Sequence, residues 1–160
     1  MTVGVMKHAA MESQKHYPVR LLSEQICSGV RSKDYLSEAL ALYHFTCART
    51  RYMRDPRTIE LVRAPYVVVD QLLAGRTPCL DCDDMAAFLA ALLMMTGAEV
   101  RLMTVAFQNV FYQNQRQYSH VLLQTKEPRS STWVTLDPVA GDRTHKMLST
   151  VKAAAYWPIA

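Results

Sequence analysis

The chain has 160 residues, half of them hydrophobic and a fifth charged, with a formal net charge of +4. That length supports one domain whose core needs no disulfide staples, and the composition excludes a disordered, collagen-like or solvating chain. Arg and Lys are spread along the sequence. The densest group, Arg49, Arg51, Arg54 and Arg57 around Asp55, reads as a solvated face, so no nucleic-acid partner is expected. The first eight residues lack the apolar run of a signal peptide, and residues 85–95 are too few to span a bilayer. The expectation is a soluble, cytoplasmic protein with no membrane partner.

Taken in chain order, the first helical signal covers residues 19–28 and stops at Gly29. The next starts from Ser32 as N-cap with Asp34 in the first turn, and runs to Arg54, where Asp55-Pro56 breaks it. Residues 66–73 form a short helix closed by Gly75, against the β-branched pull of Val67, Val68 and Val69. A loop over 76–81 then enters a helix that begins at Cys82 and stops at Gly97. Apolar residues lie on every side of 85–95, which predicts a central helix covered on most faces.

Beyond Gly97 the pattern changes period. Residues 99–107, 118–125 and 132–136 are rich in β-branched and aromatic side chains and read as antiparallel strands. The polar, Gln-rich segment 109–117 fits a hairpin loop near the active face, residues 126–131 a turn containing Pro128, and 146–155 a final helix. Helices first and strands afterwards define an α+β fold with segregated layers. Neither repeats nor linkers divide it, so residues 1–160 form one domain, with a 1–31 extension, a 32–75 helical part, a 76–140 core and a 141–160 tail.

The four cysteines are expected to stay reduced. Cys27 and Cys47 sit among apolar residues as core thiols, whereas Cys79 and Cys82 form a CxxC, which is a redox motif or half a zinc site. Asp81, Asp83, His120 or His145 are the further ligands a zinc site would draw on. No second CxxC or close His pair completes it, so the expectation is no metal and no cofactor. Cys82 stands at a helix start, where free N–H groups and the helix dipole favour thiolate, the species that attacks carbonyl carbon. A small buried hydrophobe is the plainer reading of the same residue.

A nucleophile needs a base and an orienter. His120 lies on the second predicted strand and Asp137 ends the third, so neighbouring strands place imidazole beside carboxylate. His145 is the reserve base. Asp83 and Asp84 favour the helix dipole but oppose a thiolate. The backbone N–H of Cys82 is one oxyanion donor, with Gln71 and Tyr66 as candidates for the second.

The segment Asp81-Cys82-Asp83-Asp84-Met85-Ala86, followed by Ala90-Ala91-Leu92-Leu93 and Gly97, then Ser119-His120-Val121 and Trp133-Val134-Thr135-Leu136-Asp137-Pro138, resembles a transglutaminase-like cysteine enzyme over about the last two thirds of the chain. Arg51-Tyr52-Met53-Arg54-Asp55-Pro56 and Ile59-Glu60-Leu61-Val62-Arg63-Ala64-Pro65 resemble the lead-in of bacterial and phage members. The resemblance implies a papain-like core and acyl transfer through a thioester. Cys82 would be the nucleophile, His120 the base and acid, and Asp137 the orienter. It implies a cysteine hydrolase or peptidase acting on a peptide or protein substrate, with water as acceptor. An inactive binding or assembly module of phage type, or a glutamine transglutaminase or deamidase, are the alternatives. Two positions depart from the pattern: Leu80 where the family carries glycine, and Val121-Leu122 in place of Ala-Trp.

Overall fold

The computed structural model describes residues 3–56 and 61–159; Arg57 of the basic group and Ile59 and Glu60 of the lead-in lie outside them. Four helices precede the nucleophile segment: α1 (Val3–Ser13), α2 (Tyr17–Cys27), α3 (Tyr35–Arg49) and α4 (Pro65–Leu73). Two-residue strands β1 (Arg51–Tyr52) and β2 (Cys79–Leu80) flank α4, and α5 (Cys82–Met94) follows. The C-terminal half holds β3 (Glu99–Ala106), the hairpin β4 (Phe111–Tyr112) and β5 (Gln115–Arg116), then β6 (His120–Lys126), β7 (Val134–Leu136), α6 (Thr144–Leu148) and β8 (Ala153–Pro158). Among the described residues no helix is long and apolar enough to cross a membrane.

The main sheet has the order β7-β6-β3-β8, and each neighbouring pair is antiparallel. One sheet face packs on α5, which α1, α2, α3 and α4 also cover. Every residue from Asp83 to Leu93 is therefore buried, as an apolar helix without a polar face requires. Val100 and Leu102 of β3 and Val121 and Leu123 of β6 join the α5 core. Alternation sends Met103, Val105 and Leu122 to the other face, where Met147, Leu148 and Val151 cover them. The two residues that follow His120 thus divide: Val121 packs beneath α5, and Leu122 under α6.

Four local expectations change. The N-cap of α3 is Asp34, whose carboxylate accepts the Ser37 N–H at 3.1 Å, and not Ser32. That helix ends at Arg49, short of Arg54, because Thr50 turns extended and Arg51 and Tyr52 pair in parallel with Cys79 and Leu80. The 76–81 loop accordingly contains a strand. Residues 153–155, assigned to a final helix, instead begin β8, which pairs along β3 from Ala106↔Ala153 to Arg101↔Pro158. Within the 1–31 extension, the unanticipated α1 packs on α5 through buried Met6, Ala10 and Ser13.

Glycine serves its expected role at two helix ends, where Gly75 and Gly97 take φ of +72° and +83°.

Candidate active site

Cys82 is the first residue of α5, and Asp81 caps that helix by accepting the Asp84 N–H at 3.1 Å. This start places the partly exposed thiol beside helix N–H groups that have no carbonyl partner within the helix. Leu80, where the resemblance leads one to expect glycine, has its side chain buried in the core against which Cys82 also packs.

His120 opens β6 directly opposite Val105 of β3. Its Nε2 lies 2.7 Å from Oδ2 of Asp137, the residue that follows β7. Pairing of Leu123 with Leu136 and Thr125 with Val134 sets that approach. The other carboxylate oxygen of Asp137 accepts N–H bonds from Val139 at 2.9 Å and Ala140 at 3.1 Å. Tyr43 donates its hydroxyl to the Asp137 carbonyl at 3.2 Å, so α3 holds the same turn from behind. With both oxygens engaged and no exposed side-chain surface, Asp137 has little freedom to turn away.

Burial works against a charged His120, yet hydrogen bonds and charge from Asp137 and Cys82 outweigh it and push the imidazole pKa up to about 9. The directed ring hydrogen bond is the one to Asp137, and Cys82 is near enough to add to the upward shift of the same ring. Since Asp137 occupies Nε2, Nδ1 is the nitrogen left for the thiol. The Phe107 ring lies 6.3 Å from the imidazole, nearly parallel to it.

The acidic pair after Cys82 behaves differently from two free carboxylates. Burial, then a hydrogen bond and charge from Asp81, push Asp83 up to about 8, so this group holds its proton at neutral pH. Burial raises Asp84 to about 6 although its Oδ1 accepts the Arg63 N–H. The opposition to a thiolate is thereby reduced. Burial also raises the other core thiols, Cys27 to about 11 and Cys47 to a lesser degree, which makes both poor nucleophiles.

Tyr66 and Gln71, both weighed as oxyanion donors, belong to α4. Tyr66 stacks on His16 with ring centres 4.2 Å apart, and the helix packs among α1, α2 and α5. The hydroxyl pKa of a second tyrosine, Tyr52, rises through burial and then through the charge of Cys82. The β1–β2 pairing sets Tyr52 opposite Leu80, two residues before Cys82. His145 is exposed on α6. Cys79 is partly buried, with its carbonyl accepting from Arg63 Nη1 at 3.1 Å. Among the described residues no group of three His, Cys, Asp or Glu is placed to hold a metal ion.

The fold is that of a mixed helix and sheet protein shared with cysteine-protease-like structures. A Parabacteroides distasonis protein provisionally described as a protease has a TM-score of 0.58 and 10% identity, matched over 82% of this chain and 26% of its own. A Cytophaga hutchinsonii protein, provisionally a cysteine protease, gives 0.53 and 14% over 92% and 46%. The chain thus spans less than half the length of either. No family model and no curated protein matches the sequence.

Proposed function

We propose that the protein is a cysteine-dependent amide hydrolase with a papain-like, transglutaminase-like site. The observation that carries this reading is the 2.7 Å bond between His120 Nε2 and buried Asp137, on a ring whose other neighbour is Cys82. The Cys82 thiolate attacks the amide carbonyl carbon, and the oxyanion that forms takes the Cys82 backbone N–H and the Tyr52 hydroxyl as donors. His120 then gives its proton from Nδ1 to the leaving amine as the C–N bond breaks, which leaves a thioester. Water loses a proton to the same nitrogen and attacks the thioester, releasing the carboxylic acid product and restoring the thiolate and imidazolium. Asp137 orients the ring and supports the imidazolium.

The test is competitive labelling of the intact protein by iodoacetamide, read by peptide mass. Cys82 is expected to react first among the four cysteines, and His120→Ala to slow Cys82 by at least about tenfold near neutral pH. Equal labelling of all four thiols, insensitive to His120→Ala, would defeat the proposal and favour a binding module.

A further inference from the structure

A cavity of about 490 Å³ shares His120 and Asp137 with the site. Phe107, Val139 and Met147 contribute apolar lining, and Arg143 and Lys146 line it as well. It lies over the sheet face away from α5, where the turn after Asp137 runs into α6. Its charges do not cancel. The one carboxylate in the lining, Asp137, is committed to the His120 ring and to two backbone N–H groups. Arg143 and Lys146 are exposed, and neither takes part in a salt bridge among the described residues. Asp142, the other acid in this turn, is exposed and outside the lining.

We propose that this cavity binds the acyl substrate through a carboxylate carried on an apolar stem, so that the preferred substrate is an acidic peptide with its anionic side chain beside the scissile amide. The apolar walls fit methylene or aromatic carbons, and the two cations meet the charge at the rim. Placement beside the scissile bond rests on the acyl-transfer reading, whereas the anion-selective cavity stands without it. Specificity then arises mainly from charge, since a neutral isostere fills the same volume without satisfying either cation.

The experiment is an amide-shift titration of the intact protein with 4-phenylbutyrate and, in parallel, with 4-phenylbutyramide. The carboxylate is expected to give saturable shifts confined to Phe107 and to residues 137–150, and to bind at least about fivefold more tightly than the amide. Arg143→Gln with Lys146→Gln should abolish that preference, and Arg76→Gln, an exposed cation elsewhere on the surface, should preserve it. Both altered cations are exposed, so the rest of the spectrum reports that the fold is retained. Equal affinity for the two probes, absence of saturable shifts, shifts outside this region, or a preference surviving the double substitution would overturn the proposal. An unreactive Cys82 alongside a retained carboxylate preference would remove the hydrolase reading and leave the anion site standing.

Discussion

Asp137 illustrates how one side chain sets the chemistry of another. Its carboxylate is the leading influence that lifts His120 toward about 9, against the effect of burial. In the proposed hydrolysis protonated imidazole serves the leaving amine, so the alkaline limb of turnover on a peptide amide should fall near pH 9. Asp137→Asn should move that limb down toward the ordinary value of 6.5 and lower kcat by about 10²-fold or more. An unchanged limb in that variant would separate Asp137 from the proton transfer. The contact of His120 with Asp137 was legible in the sequence, because each sits at an element boundary marked by periodicity and local motif. The influence of Cys82 on Tyr52 was not, since it follows from a pairing of two-residue strands far apart in the chain, which leaves no periodic trace.

At the scale of elements, α5 decides most of the architecture. Apolar residues all round its circumference predicted enclosure, and four helices with the sheet provide it. Phe88 is fully buried at its centre, so Phe88→Ala should cost about 3–5 kcal/mol of unfolding free energy, measured by urea denaturation. A loss within about 0.5 kcal/mol, as at a surface position, would mean that the helix is not the central packing post. The C-terminal misreading has an equally local cause. Ala153, Ala154 and Ala155 favour helix on propensity, but the free edge of β3 offers hydrogen bonds that an isolated turn of helix does not match. Trp157 adds a bond from its indole N–H to Thr104 Oγ1 at 3.0 Å. The end of α3 was misplaced for the same kind of reason, since the strand pairing of Arg51 and Tyr52 overrides the helical pattern.

For the whole molecule, the raised groups act in one direction. Asp83 ordinarily titrates at 3.8 and is held up to about 8, so the native state keeps a proton that the unfolded chain releases. Its contribution is complete below 3.8 and is lost as pH rises through about 8. His120 follows the same sign from 6.5 through about 9, and Asp84 from 3.8 through about 6. Thermal stability should therefore decline from mildly acidic to alkaline pH. Asp83→Asn keeps a donor toward Asp81 and removes one proton release, so its Tm should gain on the parent between pH 4 and 8.5 by about 3 °C per kcal/mol recovered. Parallel Tm curves for the two proteins would exclude Asp83 as a source of the decline.

The enclosure of α5 also governs how the molecule can open. A helix gripped on every side has no local route to solvent, so its amide protons should exchange only when the whole domain comes apart. The thiol that begins this helix is therefore anchored to the slowest-exchanging part of the chain. Under the proposed function, the substrate carbonyl would have to come to a stationary sulfur.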